Sequence, residues 1–405
     1  MNSITPSVMS QPPFDSLSPV DMSSDNRGSS VQGDETAPAG AVALCMSGGG
    51  YRAMLFHLGG LWRLNELAWL PKLTRVSSVS GGSITAGQLG ARWSRLAFDT
   101  TGVAQRFSAE VVEPIRALAS TTIDVPSVLA GILKPDSISD EVAKAYDTHL
   151  YKGATLQSLP DDGAGPRFVI NATNVQSGAL WRFSKPYMRD YRVGEVRSPR
   201  VSLAVAVAAS SAFPPLLSPA RLSLEEAIYT PGSGLDLQRP PFTTDVMLTD
   251  GGVYDNLGLE TAWRQFTTVL VSDGGGKMGA QEKPRSDWVR HSLRINDLID
   301  NQVRSLRKRQ LIGAYQAQRR QGTYWGIRGH LQDYHLTPPS PLACPADRTI
   351  VLAETPTRLA KLDPIVQDRL INWGYAVCDT AMRRHVVEAE SAPAPAFPYP
   401  SSGVG

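Results

Sequence analysis

The chain has only three cysteines in 405 residues, and none forms a C-x-x-C pair. Cys45, Cys344 and Cys378 are odd in number and far apart, which excludes a disulfide framework and a cysteine zinc cluster and fits a reducing compartment. Excess charge is lacking too: 40 basic residues stand against 38 acidic ones, so composition makes no general case for nucleic acid. No apolar run reaches the ~18 residues that a membrane span requires. The first basic residue is Arg27 and no apolar block precedes it, so a Sec-type signal peptide is not expected. These absences lead to the expectation of a cytoplasmic protein with peripheral membrane contact at most, leaving export without a cleavable signal open.

What is present supports a folded enzyme-sized core. Apolar residues make up 42% and charged ones 19%, enough for one large domain or two ordinary ones. Residues 1–39 are rich in Ser, Pro, Asp and Gly and read as a disordered leader. Residues 389–405, with "ESAPAPAFPYPSSGVG", read as a disordered Pro-rich tail. Between them, 40–388 is expected to form one domain. "AVALCMS" is a strand-like run that empties into glycines, and "AMLFHLGGLWRLNEL" then places apolar residues at helical spacing. "LTRVSSVS" and "GSITAGQLGARWSRL" repeat the pattern. Two strand–glycine–helix units in succession predict an α/β fold: a mostly parallel central sheet flanked by helices. Residues 96–165 read as a helical insertion, and strands resume at "RFVINATNV", "DVMLTD" and "TTVLVSD".

Three motifs carry the chemistry. In "LCMSGGGYRA", Gly48, Gly49 and Gly50 leave the backbone bare after a strand, so that peptide N–H groups can face a phosphate or a transient oxyanion. In "VSSVSGGSITAG", Ser80 stands at a strand–helix junction between Ser78 and Gly82. A nucleophile elbow turns sharply and needs small residues two before and two after the serine. Ser78 replaces the first glycine of G-x-S-x-G, and some strain is expected from it. Ser77 and Ser78 belong to the strand, and Ser83 is explained as a helix cap; Ser80 alone occupies the turn.

A serine hydroxyl needs a base. His149, His291, His330, His335 and His385 follow Ser80, but none stands in a short loop after an apolar strand; His330 comes nearest. His57 reads as a packed helix residue. An aspartate at a strand end with glycines beside it is the better base, and two qualify: Asp250 in "DVMLTDGGVYDNLGLE" and Asp273 in "VLVSDGGGKMG". Spacing does not separate them, and each also fits an ordinary Asp-Gly turn. A dinucleotide-binding oxidoreductase is the rival class, because "GGGYRA" satisfies G-x-G-x-x-A. The second strand ends in "SSVSGG", however, without the acid that would hold a ribose.

Taken in order, the glycine loop with its basic residue, the serine elbow and the later Asp-Gly-Gly resemble the patatin-like phospholipases, and more distantly the calcium-dependent cytosolic phospholipases. "AVAASSAFPPLLSP" and "PRFVINATNVQSG" also resemble segments of that family, over roughly residues 40–276. The resemblance implies a lipid acyl hydrolase of the phospholipase A or lysophospholipase type, with Ser80 as nucleophile and Asp250 as base. It implies an oxyanion hole at Gly48, Gly49 and Gly50 with Arg52, and no cofactor or metal. It favours Asp250 over Asp273 because an asparagine, here Asn256, follows within a few residues. The implied partner is a phospholipid or other acyl-ester lipid, with no nucleic acid; the alternative is a non-catalytic lipid-binding pseudoenzyme. Residues 301–332 hold seven basic residues and no acidic one (Arg304, Arg307, Lys308, Arg309, Arg319, Arg320, Arg328), and with Leu306, Leu311, Ile312 and Tyr315 they read as a basic helix able to lie on anionic lipid. A solvated helix face, or a seat for a partner protein or nucleic-acid phosphate, explains the same charges.

Overall fold

A computed structural model describes residues 37–123, 135–388 and 392–405. The proposed leader, apart from its last three residues, lies outside these, as does 124–134 of the insertion. β1 (Val42–Met46) is buried along its whole length because its two faces are both covered. Val42, Leu44 and Met46 point into the larger of two apolar clusters, and Ala43 and Cys45 into the smaller. Burial pushes the Cys45 thiol far above its usual pKa, so this cysteine is core. α1 (Gly50–Glu66), β2 (Leu73–Val79) and α2 (Gly81–Arg92) follow as the two expected strand–helix units. α3 (Glu113–Ala119) and α4 (Pro135–Tyr146) make 96–165 largely helical where it is described.

β3 (Arg167–Asn174) starts a run of short strands, β4 (Ala179–Phe183), β5 (Tyr187–Asp190) and β6 (Gly194–Arg197). Then come α5 (Leu203–Ser210), β7 (Ala220–Ser223), β8 (Asp245–Asp250), α6 (Gly252–Asp255), α7 (Glu260–Trp263) and β9 (Thr268–Asp273). The chain closes with α8 (Trp288–Gln316), β10 (Gln321–Gly326), α9 (Ala346–Ala353) and α10 (Pro364–His385). The described strands form one ten-stranded sheet in the order β10-β9-β1-β2-β3-β4-β5-β6, with β8 on β3 and β7 on β8. β10, β9, β1, β2 and β3 are mutually parallel, and the pairings beyond β3 are antiparallel.

One feature of this sheet positions the site. β2 pairs in parallel with the first part of β3, ending at Val79 opposite Asn171. β8 pairs antiparallel with the rest of β3, ending at Asp250 opposite Ala172. Because β4 occupies the other edge of β3 over Ile170–Asn174, β2 and β8 share one edge. They run toward each other, and their carboxyl ends meet at neighbouring β3 residues.

α1 and α10 cross closely enough to require two glycines. A Cβ at Gly59 would stand 2.0 Å from Ile371 O, and one at Gly374 would stand 1.9 Å from Phe56 O. Two sequence expectations are corrected here. Residues 392–405 are packed: the Tyr399 ring meets Trp62 edge-on with centroids 6.0 Å apart, Arg116 lies over it at 4.3 Å, and Asn372 Nδ2 donates to the Tyr399 and Gly403 carbonyls. The Tyr399 ring in a ready socket, with backbone carbonyls held by Asn372, outweighs the low-complexity composition. The stretch 301–332 is the second half of α8, a turn and strand β10, so it is not one helix. No helix among the described residues is long and apolar enough to cross a membrane.

Candidate active site

Ser80 takes φ 50° and ψ −120°, a left-handed conformation that side-chain-bearing residues rarely adopt. Its neighbours hold it there. The Ser80 N–H donates to Ser210 Oγ at 3.0 Å, and Ser210 Oγ donates to Asn171 O at 2.6 Å, tying the turn to α5 and β3. The Ser80 carbonyl accepts the Ser83 and Ile84 N–H groups of α2. Ser80 is thus the helix-capping residue by position, yet its hydroxyl makes no capping bond. The expectation that Ser83 caps the helix is not met: Ser83 Oγ lies 3.0 Å from Ser78 Oγ and 2.9 Å from Ser210 Oγ. The small space that a G-x-S-x-G glycine leaves is filled by this cluster of hydroxyls. The positive φ falls on Ser80 and not on Ser78, so the expected strain at Ser78 is absent from its backbone.

Asp250 lies where β8 meets β2 and is 2% exposed. Its N–H donates to Ala212 O and its carbonyl accepts the Thr173 hydroxyl, which fixes the strand end. Burial pushes its carboxyl up to about 7, against the opposing pull of the Gly252 N–H on Oδ1 (2.6 Å) and of the Ser80 side chain, while Asp300 on α8 pushes it further up. Oδ2 is buried without a hydrogen-bond partner, and the Ser80 side chain lies close enough to the carboxyl to pull its pKa down. Asp273 is placed otherwise. Burial again opposes its charge, but the Tyr324 hydroxyl (2.7 Å), Lys308, the Gly275 N–H (2.9 Å) and Arg304 outweigh it, and its pKa falls below the usual carboxylate range. It is a caged anion at the far side of β1 from β2.

The glycine loop packs against the elbow. A Cβ at Gly48 would stand 2.5 Å from Asn256 Oδ1 and 3.1 Å from Ser80 Cβ, and one at Gly81 would stand 2.3 Å from Gly50 O. The bare backbone therefore serves close approach, as the sequence suggested, but its four expected donors divide. The Gly48 N–H is engaged by Asn256 O at 3.1 Å. The N–H groups of Gly49 and Gly50 find no acceptor among the described residues. Arg52 is 3% exposed, and its Nε and Nη1 donate to the Gly274 and Thr355 carbonyls. Only Nη2 remains unpaired, against Gly49. Burial, with Arg328 and Arg304 nearby, pulls the Arg52 guanidinium down to about 10, against the attraction of Asp273. Arg52 is first a clamp on the 274–276 loop.

His57 is fully enclosed and bridges two strand ends. Its Nε2–H donates to Ser47 O (2.9 Å) and its Nδ1 accepts from Ser272 Oγ (2.7 Å). Burial lowers its pKa to about 4, so the ring is neutral. Ser47 O also accepts the Gly82 N–H, and Ser47 Oγ accepts the Gly274 N–H. The residues that the sequence reading left without a role are Ser210, Asn171 and Gly81. Ser210 and Asn171 stand in the segments quoted for their resemblance, which was the available signal.

A family model described as patatin-like phospholipase matches residues 44–263, more than half of the chain. The chain belongs to the patatin-like phospholipase family. That family is one of lipid acyl hydrolases, and both Ser80 and Asp250 lie within the matched residues. Among solved structures, VipD from Legionella pneumophila is 16% identical, with 86% of this chain covering 68% of VipD at a TM-score of 0.39. A human GIVD cytosolic phospholipase A2 is 14% identical, with 60% of this chain covering 47% of that chain at a TM-score of 0.37. Both likenesses are loose. No curated protein matches the chain. Among the described residues no group of three His, Cys, Asp or Glu could hold a metal ion.

Proposed function

We propose that the protein hydrolyses fatty acyl esters of phospholipids or lysophospholipids through a Ser80 acyl-enzyme, with Asp250 as the base. The observation that carries this reading is the convergence of β2 and β8 on one edge of β3, which sets a strained serine beside a buried carboxyl raised to about 7. A carboxylate with that pKa is half ionised near neutral pH and is basic enough to accept a hydroxyl proton. Asp250 takes the proton as Ser80 Oγ attacks the ester carbonyl, and the collapsing intermediate expels the alcohol, which takes that proton. Water, deprotonated by the same carboxylate, then attacks the acyl-serine; the acyl–Oγ bond breaks, Ser80 Oγ takes that proton back from Asp250, and the fatty acid is released.

The N–H groups of Gly49, Gly50 and Gly81 are the donors assigned to the oxyanion, with the unpaired Arg52 Nη2 adding positive charge behind them. Each well-placed donor is worth roughly 3–4 kcal/mol of barrier. Gly48 holds the loop in place through Asn256. His57 has no part in proton transfer, since both of its ring nitrogens are engaged by Ser47 O and Ser272 Oγ and its pKa of about 4 makes it a weak base. The test is turnover of a p-nitrophenyl acyl ester by the wild type, Ser80→Ala and Asp250→Asn. Loss in both variants supports the dyad; equal rates in all three refute it and leave a lipid-binding role.

A further inference from the structure

The seven basic residues of 301–332 are mostly turned inward. Arg304 donates to Gly276 O, Arg307 meets Glu260 and Asp255, Lys308 lies over the Tyr324 ring, Arg320 donates to Trp263 O and Arg328 to Ala353 O. The first half of α8 has the opposite character. Trp288, Ile295, Ile299, Val303 and Leu306 recur at steps that place them on one helical face with Ser292 between, and no charged residue interrupts that stripe. The stripe is solvent-exposed, Trp288 by 80%, Ile299 by 54% and Leu306 by 58%. The helix is docked instead through the face that carries Arg304, Arg307, Leu311 and Ala314. Lys277, Lys283 and Arg285 ahead of the stripe and Arg290 in the first turn of α8 are exposed, with Glu282 and Asp287 as the intervening acids, and Asp287 is engaged in capping α8.

The stripe is tied to the site. Asp300 acts electrostatically on Asp250, and Arg307 anchors α8 to α6 at Asp255 and Tyr254 O. α6 carries exposed Val253, three residues from Asp250. In the turn between α5 and β7, exposed Phe213 and Leu216 follow Ala212, whose carbonyl accepts the Asp250 N–H. Three segments linked to one carboxyl thus expose large apolar side chains, and basic residues stand at the start of the longest of them. A basic-and-apolar surface of this kind matches the headgroups and outer acyl region of an anionic lipid layer.

We propose that the Trp288–Leu306 face of α8, with Phe213, Leu216 and Val253, is the seat on which the protein lies on an anionic lipid surface. This rests on the acyl-hydrolase reading for its purpose, since it would set Ser80 beside its substrate, but the binding is measured apart from turnover. The experiment uses full-length Ser80→Ala protein in sedimentation with vesicles of phosphatidylcholine alone and with added phosphatidylglycerol. Binding is expected only to the anionic vesicles. Adding Ile295→Ser and Ile299→Ser should weaken it at least about tenfold. In the Ser80 background, the same two substitutions should leave turnover of a dissolved short-chain ester within about twofold, as expected of surface residues away from the chemistry. Ile295→Val with Ile299→Val should retain the binding. Equal binding by wild-type and double-Ser faces would overturn the proposal, as would equal loss of soluble-ester turnover, which would mark a folding role. A concentration-dependent dimer that the Ser substitutions dissociate, without anionic-vesicle binding, would assign the face to a second copy instead. If the soluble ester is not turned over by any form, the catalytic reading fails while the sedimentation still decides the seat.

Discussion

Asp250 and Asp273 end two strands of the same sheet, and each is followed by glycines, yet the fold gives them opposite chemistry. Asp273 receives a tyrosine hydroxyl and a peptide N–H, with Lys308 and Arg304 nearby, and stays ionised below the usual range. Asp250 is buried with the Gly252 N–H and the Ser80 side chain as its donors and Asp300 nearby, and burial wins, so its carboxyl rises to about 7. What differs is the set of groups that later segments bring up. α8 and β10 supply cations and a phenol to one carboxylate, and α8 supplies a second acid to the other. A carboxylate becomes a base where stabilising partners are withheld, not where they are gathered.

The comparison breaks most sharply under substitution of the two acids. Asp250→Asn is expected to lower kcat for a soluble acyl ester by at least about a thousandfold. Asp273→Asn should keep most of the activity and lower the melting temperature, because Tyr324, Lys308 and Arg304 would lose their shared anion. Equal losses in the two variants would erase the distinction. Next in size is stability against pH. A carboxyl whose folded pKa is raised from ~3.9 to about 7 stays protonated in the folded state while the unfolded chain ionises. Its contribution is complete below pH ~4, is lost progressively up to about 7, and leaves a deficit on the order of 4 kcal/mol above that. Asp250→Asn should therefore be more stable than wild type at pH 8 and similar to it at pH 4, as denaturant titration at both values would reveal.

A pH–rate profile gives a third measure. kcat/KM for the neutral ester should fall about tenfold per unit below pH 7 as Asp250 takes up a proton, and Asp273→Asn should not shift that limb. His57→Gln is the mildest change. Because His57 positions Ser47 and the glycine loop, kcat should drop by roughly tenfold with KM and the acid limb unchanged. A limb that disappears in that variant would make the histidine the base.

The strand–glycine–helix units and the three motifs were legible because each is local: alternating burial, a serine in a sharp turn, an acid at a strand end. Local spacing did not choose between Asp250 and Asp273, because the choice depends on which edge of β3 receives β8; the family resemblance, through Asn256, was what favoured Asp250. The division of labour within the glycine loop was equally hidden. Gly48 is engaged by Asn256, more than 200 residues away, and Arg52 by carbonyls at 274 and 355. Composition misled where a few side chains outweighed it: Tyr399 anchors a proline-rich tail, and Arg304, Arg307, Arg320 and Arg328 turn inward while an uncharged stripe on α8 faces solvent.

Labelling with an alkyl fluorophosphonate, read by peptide mass spectrometry, tests the central claim most directly. One adduct per chain on Ser80, absent in Ser80→Ala and formed far more slowly in Asp250→Asn, is the predicted result. Labelling of Ser83 or Ser210 in place of Ser80, or a rate unaffected by Asp250→Asn, would contradict it.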